Sequence, residues 1–167
     1  INYLSYEIAS AIGAETPKMT PALYYVNTKD FNHVEDRELW GFYFISEHLG
    51  FKNWKNYVKD KDDFYFIRTR DVNVYKPGED EYDGFVAYNK LKTEWLLNSE
   101  KITLADAATK VDMDIFIRHM FTIAFLGTTD WRQGAAVKDG RSTGLWKYVS
   151  WDLEHSFMDW RVLKRHS

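Results

Sequence analysis

The chain contains no cysteine among its 167 residues. A disulfide framework and a metal site built on thiolates are therefore excluded, although the cellular compartment stays open. Long hydrophobic runs are also missing. The most apolar segment, residues 115–127, includes Arg118 and His119 and is too short to cross a bilayer. We therefore expect no membrane span.

The first residues carry neither an initiator Met nor the basic stretch of a signal peptide. They have the pattern of the middle of a helix, so we expect the chain to be a segment of a longer polypeptide. In such a segment, missing targeting signals carry no information about localisation, which the residues themselves leave unknown.

Positive charge is not in excess, since 22 Lys and Arg face 25 Asp and Glu and give a net charge of −3. Proteins that bind nucleic acid usually have a basic surface, so the charge argues against nucleic acid as the main partner. The chain has no internal repeats. Its 45% hydrophobic and 28% charged residues are typical of one globular domain with a sizeable core.

The spacing of apolar residues predicts an α+β chain, with strands early and helices late. We expect helices over 2–12, 84–98 and 113–126, with a short helical segment at 103–108 and Asp112 as an N-cap. Strands are expected at 22–26, 39–46 and 64–70, the first two as an antiparallel pair. Residues 135–138 and 145–150 are expected to form a hairpin.

Acidic residues lie at both ends of this hairpin. Asp130 follows the apolar helix, and Asp152 follows the second strand of the hairpin. A hairpin returns its two ends to the same edge of a fold, so the two carboxylates are expected to converge. Glu154 lies on the same face as Asp152 if the backbone is extended. Paired carboxylates suit Mg²⁺ or Mn²⁺ and a phosphoryl-transfer site.

Ordinary structural roles fit the same acids. Asp130 is equally suited to cap a turn, and Asp152 is equally suited to an ion pair with Arg132 or His155. A glycan-active site also uses paired acids. Residue types and spacing alone leave these alternatives open.

The sequence Gly-Leu-Trp-Lys-Tyr-Val-Ser-Trp-Asp-Leu-Glu-His-Ser-Phe at 144–157 resembles the "GKW…WDLD…SF" signature of the spore coat protein H (CotH) kinase-like family. Residues 3–13 with Pro17 are similar to the family's "YELARELGLPAP" segment. Residues 40–47 are similar to its "GLYLLVE" strand, and 114–130 to its apolar helix with an Asp-bearing loop. The resemblance covers nearly the whole chain.

This resemblance implies an atypical protein-kinase-like fold over 1–167 as a single domain. The fold would be partial: a small-lobe helix and strands, a helical large lobe and a catalytic hairpin, without the N-terminal Gly-rich strands. The family implies an enzyme that uses ATP and Mg²⁺ or Mn²⁺ to phosphorylate Ser/Thr hydroxyls of proteins. It also implies a secreted, cell-surface or spore-coat setting.

The resemblance further implies roles for individual residues. Asp130 corresponds to the catalytic-loop Asp, and Asp152, with Glu154, corresponds to the metal-binding acid. Glu7 is a candidate partner for a Lys that binds phosphates, and Glu47 would lie near the adenine. Glu7 is equally a surface acid on a helix whose apolar face we expect to consist of Leu4, Ile8 and Ala11, and Glu47 is equally a cap.

Two departures from the family pattern affect the expected activity. The Asn that binds a second metal, four or five residues after the catalytic Asp, is replaced by Gly134 or Ala135. The Gly-rich strands and the Lys that binds phosphates are expected before the first helix, and the chain begins within that helix. A lesser difference is Glu154 in place of the last Asp of the signature, which keeps the charge. Gly134 and Ala135 favour an alternative in which the chain is a catalytically weak, kinase-like scaffold of a coat, adhesion or cell-surface structure.

Overall fold

A computed structural model describes residues 2–27, 37–47, 55–68, 77–79, 81–95, 102–128, 134–153 and 156–157. The described elements, in chain order, are helix α1 (Asn2–Ile12), strands β1 (Met19–Asn27) and β2 (Arg37–Ser46), a 3₁₀ turn (Lys55–Tyr57), strand β3 (Phe64–Arg68), helices α2 (Tyr82–Trp95), α3 (Leu104–Ala108) and α4 (Met113–Leu126), and strands β4 (Ala135–Asp139) and β5 (Trp146–Val149). The predicted α+β class is confirmed. None of the described helices is long and apolar enough to cross a membrane.

The strands form two antiparallel sheets. β1 pairs with β2, as the sequence predicts, with a bulge at Tyr24/Tyr25. β3, β4 and β5 form the second sheet in that order, which confirms the predicted hairpin between β4 and β5. Tyr3 of α1 stacks on Phe44 of β2 at a ring-centroid distance of 4.7 Å, so the helix contacts the first sheet.

The three-stranded sheet has a buried cluster on each face, because alternate residues of a strand point to opposite sides. One cluster contains Phe66 and Val137 together with Val58 from the segment before β3. The other contains Tyr88 of α2 and Trp146 of β5, whose ring centroids lie 5.2 Å apart. Helix α2 therefore covers one face of the sheet that ends in β5.

Helix α4 begins and ends as its sequence predicts. The Asp112 carboxylate accepts a hydrogen bond from the Ile115 N–H at 3.2 Å, which satisfies one free amide of the first turn. Gly127 follows the helix with φ +58°, a left-handed conformation that glycine adopts at little cost.

The buried face of α1 agrees with the prediction at Ile8, which is half-buried against a core cluster, and differs at the other two positions. Leu4 is 54% exposed and Ala11 is exposed as well, whereas Tyr6 and Ala9 are buried. The helix is turned because Tyr6 packs in a core cluster with Leu126 of α4. The ring of Tyr6 can be buried because its hydroxyl accepts the Asp152 N–H at 2.9 Å.

His119 of α4 makes stability depend on pH. Its ring is 6% exposed, its Nδ1 lies 2.8 Å from Ser150 Oγ, and burial lowers its pKa to about 4. An unfolded histidine titrates near pH 6.5. The stabilisation that comes from neutral His119 is therefore complete above about pH 6.5 and is lost as the pH falls towards 4.

We expect the free energy of unfolding to decrease by roughly 3 kcal/mol over this range through His119, since one pKa unit corresponds to about 1.4 kcal/mol. Urea denaturation at a series of pH values measures the decrease. His119→Asn keeps a neutral polar group and should flatten that part of the profile. An unchanged profile in this variant would contradict the assignment.

Candidate functional site

A cavity of about 830 Å³ lies between α1, the segment that joins α1 to β1, and residues 55–61. This volume is in the range of sites that bind small molecules and cofactors, about 300–1,000 Å³. Its lining carries both signs of charge. The charged lining residues are Glu7, Glu15, Glu47, Lys18, Lys55 and Lys61.

Glu47 lies at the rim of this cavity, directly after β2. Its N–H donates to the Lys18 carbonyl at 2.9 Å, and its Oε2 lies 3.0 Å from the hydroxyl of Tyr57. The same hydroxyl is 3.1 Å from the Thr16 carbonyl, so Tyr57 has two acceptors within reach. Burial, and then the charge of Glu47, raise the pKa of Tyr57. The Tyr57 hydroxyl therefore stays protonated, and its hydrogen bond to Glu47 holds that carboxylate at the rim of the cavity.

Glu7 lines the cavity from α1 and is exposed to solvent. Desolvation and a hydrogen bond to Glu7 raise the pKa of the Tyr3 hydroxyl, one turn earlier on the helix. Glu7 is therefore both accessible from the cavity and an acceptor for Tyr3. The structure puts Glu7 and Glu47 in the same cavity, which their separation in the sequence does not reveal.

The main chain of Asp152 is hydrogen-bonded to Tyr6, a residue of the cavity lining. The Asp152 N–H donates to the Tyr6 hydroxyl at 2.9 Å, and Tyr6, which is 4% exposed, lines the cavity. Asp152 itself is half-buried and has φ +59°. Left-handed backbone is uncommon outside glycine and is enriched in Asp and Asn, often in active sites.

The segment after α1 fixes β5 relative to the cavity. Glu15, which lines the cavity, forms a parallel bridge with Val149, and its carbonyl accepts the Ser150 N–H at 2.7 Å. Ser150 is fully buried and contacts His119 of α4. The end of β5 is thus held from both sides just before Asp152.

Asp130 and Glu154 lie outside the described residues, so their expected convergence with Asp152 stays a prediction. Gly134 and Ala135, the two positions that the resemblance offers for the second-metal Asn, are both described and buried, and Ala135 shows where this part of the chain lies. It begins β4, is fully buried and pairs with Arg68 and Val149. Ala135 therefore lies in the core, and its methyl side chain cannot replace the amide of an Asn as a metal ligand.

The described residues include no group of three His, Asp or Glu that could hold a metal ion by itself. Mg²⁺ in nucleotide sites usually binds to one or two carboxylates and takes its other ligands from phosphates and water. Of the two acids predicted to hold the metal, Asp152 is the one within the described residues, and a single carboxylate at the site is compatible with this mode.

Sequence patterns did not single out Tyr6, Tyr57 and Glu15. Tyr6 and Asp152 are 146 positions apart. A tyrosine on a helix usually packs in the core, and nothing in its spacing indicates which distant amide its hydroxyl will accept. The family resemblance identified the adjacent residue Glu7 as a site candidate, and this was the indication in the sequence that this part of α1 contributes to a site.

The sequence model of the family described as CotH kinase protein matches residues 1–166. No curated protein and no solved structure matches the chain. The family match spans more than half of the chain and includes α1, β2, α4 and the segment that ends at Phe157, the parts in which the resemblance was found. The chain therefore belongs to the CotH kinase protein family.

Proposed function

We propose that this chain carries the catalytic part of an ATP-dependent protein kinase that phosphorylates Ser/Thr hydroxyls with Mg²⁺ or Mn²⁺. The observation that carries the proposal is the Tyr6 contact, which links Asp152 to a cavity of nucleotide size. Membership of the CotH kinase family supports kinase-like activity. The acceptor class, ATP and the metal are the parts that we propose.

In this proposal the cavity binds the nucleotide. Glu47 and Tyr57 form the rim assigned to the adenosine, and Tyr6 marks the end assigned to the phosphates. The cavity's three lysines, Lys18, Lys55 and Lys61, offset the negative charge of the phosphates. Glu7 is assigned as the partner of a lysine that binds the phosphates, a pairing that would compete with its hydrogen bond from Tyr3.

The acids have separate tasks in the proposed reaction. Asp152 and Glu154 would hold the divalent metal, which supplies charge neutralisation at the phosphates. Asp130 orients the acceptor hydroxyl and takes its proton. The hydroxyl oxygen forms a bond to the γ-phosphorus while the bond from that phosphorus to the β-phosphate oxygen breaks, so that ADP leaves.

Phosphate transfer is tested with the purified chain, γ-labelled ATP, Mg²⁺ or Mn²⁺, and a set of protein acceptors. We expect label on serine or threonine, identified by mass spectrometry. A folded chain that transfers no phosphate to any acceptor with either metal would contradict the proposal.

Tyr6→Phe removes the hydroxyl that accepts the Asp152 N–H and leaves the ring in the core. One hydrogen bond contributes about 1 kcal/mol. We therefore expect kcat/KM to fall about fivefold, because the main chain of Asp152 is no longer held by the Tyr6 hydroxyl. Steady-state kinetics at varied ATP measure this. Tyr82→Phe, on α2 away from the cavity, is the control and should keep full activity. Equal kinetics for both variants would disprove the role of Tyr6.

One observation favours the scaffold alternative. Gly134 and Ala135, the two positions that the resemblance offers for the second-metal Asn, are both buried and have no side chain that could bind a metal. A scaffold in a coat, adhesion or cell-surface structure requires no nucleotide. Binding of Mg²⁺ and ATP therefore separates the two functions.

A further inference from the structure

Three cations surround one aromatic ring at the turn between β4 and β5. Tyr65 of β3, Lys138 of β4 and Trp146 of β5 pair directly across the sheet, so their side chains lie on one face. The Lys138 ammonium lies 6.0 Å from the centroid of the Tyr65 ring, and the guanidinium of Arg141 lies 5.3 Å from it. Lys110 is exposed, and its carbonyl accepts the Trp146 N–H at 2.9 Å. We call Lys110, Lys138, Arg141 and the Tyr65 ring the turn surface.

The acids near the turn surface neutralise it only in part. Asp139 is already paired with Lys147 at 3.4 Å. Asp63 Oδ1 lies 3.9 Å from the Arg141 Nε, and both side chains are about half exposed. An exposed ion pair of this length contributes little. The guanidinium of Arg141 therefore keeps most of its capacity to bind a further carboxylate.

The two lysines have no carboxylate partner. The Lys138 ammonium donates to the Arg141 carbonyl at 2.6 Å, and within the described part of the chain neither Lys110 nor Lys138 forms an ion pair. Burial, and then the charge of Lys110, lower the pKa of Lys138, while Asp63 opposes this effect. A like charge lowers a pKa in this way only from nearby. A carboxylate bound beside these two lysines would be attracted by both.

The turn that carries Arg141 is fixed to the segment before β3. The Gly140 N–H donates to the Asp63 carbonyl at 2.9 Å, and the Arg141 N–H donates to the Asp63 carboxylate at 3.3 Å. The Arg141 Nε donates to the Phe64 carbonyl at 3.3 Å. These contacts leave the outer N–H groups of the guanidinium available and hold the side chain in one place. A group that is held before binding loses less conformational entropy on binding.

We propose that the turn surface binds an acidic segment of a partner protein, with carboxylates on the three cations and an apolar side chain against the Tyr65 ring. Three cations are fewer than the roughly four to eight Lys and Arg of segments that bind anionic membranes. The net charge of −3 disfavours nucleic acid. Binding here needs neither nucleotide nor metal, so the inference goes beyond the proposed kinase function and applies equally to a scaffold.

Fluorescence anisotropy of a labelled (Glu-Ser)₅ peptide tests the proposal on the purified chain. We expect saturable binding that weakens as the ionic strength rises from about 0.05 M to about 0.5 M, because salt screens exposed charges. The same peptide with Gln in place of Glu is the control and should bind far more weakly.

Variants of the chain locate the binding. Arg141→Gln should raise the Kd about tenfold, the effect expected for the loss of a charge-assisted hydrogen bond. Lys110→Gln should raise it about two- to threefold, as for an exposed charge, and should not change the melting temperature. Lys90→Gln is the matched control, because Lys90 is an exposed lysine of α2 that lies 3.8 Å from Glu94. It should leave the Kd unchanged.

Thermal denaturation of each variant shows whether Arg141→Gln loosens the turn, and Lys110→Gln tests the surface without that complication. A wild-type chain that does not bind the Glu peptide would overturn the proposal, and so would an unchanged Kd in both Lys110→Gln and Arg141→Gln. Oligo-dT of ten nucleotides and phosphatidylserine vesicles are measured alongside. If either binds more tightly than the peptide and loses affinity in Lys110→Gln, the surface binds nucleic acid or membrane and the proposal is wrong.

Discussion

If Asp152 holds the metal of the proposed kinase, we expect Asp152→Asn to remove most of the phosphate transfer and to leave the fold intact. Asparagine has nearly the same shape as aspartate and adopts left-handed backbone readily, so it fits the φ of +59° at this position. It lacks the negative charge that would hold a divalent metal at the phosphates. We expect kcat to decrease on the order of 1,000-fold, the size of the loss when a major electrostatic contribution to the transition state is removed.

Labelled phosphate transfer measures this decrease, and circular dichroism with thermal denaturation shows that the fold is kept. Asp114→Asn is the control, because Asp114 is an exposed acid of α4 whose ion pair with Arg118 lies at the surface. Such surface pairs contribute about 0–1 kcal/mol, so this variant should keep the wild-type kcat. Full activity in Asp152→Asn would disprove the assigned role of Asp152.

We expect Gly84→Ala to destabilise the protein strongly. A Cβ atom at Gly84 would lie 2.4 Å from the carbonyl oxygen of Phe66, a backbone atom in the middle of β3. Helix α2 would have to move away from the sheet, and we expect a loss of about 3 kcal/mol. In an exposed helix the same substitution would stabilise the protein by up to about 1 kcal/mol. A decrease in stability, rather than an increase, therefore shows that α2 packs closely on β3.

Thermal denaturation should show a decrease of roughly 6–12 °C for Gly84→Ala, since 1 kcal/mol corresponds to about 2–4 °C at this chain length. Gly127→Ala is the matched control. Its added Cβ has no atom within 4 Å, so only the left-handed backbone at φ +58° is penalised, by about 1–2 kcal/mol. A Gly84→Ala variant as stable as the wild type would show that α2 does not pack closely on β3.

Local sequence patterns were sufficient to predict most of the helices and strands. The predicted bounds of α1 agree with the structure, and Asp112 and Gly127 delimit α4 as expected. Strand β1 begins earlier than predicted, at Met19, and includes Pro21. Proline is tolerated on a strand edge that needs no N–H donor, and β1 and β2 form a two-stranded sheet in the described part of the chain, so both strands have a free edge there.

Contacts between distant segments were not predictable in the same way. The rotation of α1 depends on Tyr6 meeting Leu126 and Asp152, which no periodicity within the helix encodes. The family resemblance identified Glu7 and Glu47, and both line the cavity. Tyr57 was not identified. It lies in a polar, Lys-rich segment, where no sequence pattern indicates that a tyrosine hydroxyl will be partly buried.

Binding of ATP in the presence of Mg²⁺ tests the kinase proposal most directly. Thermal denaturation of the wild-type chain is followed at increasing ATP, with Mg²⁺ and with a chelator, and the series is repeated with Asp152→Asn. A ligand that binds only the folded state adds about 2.7 kcal/mol at 100 times its Kd. We expect a melting temperature that rises with ATP only when Mg²⁺ is present, and a much smaller rise in Asp152→Asn. A melting temperature that does not change at millimolar ATP and Mg²⁺ would contradict the proposal and favour the scaffold.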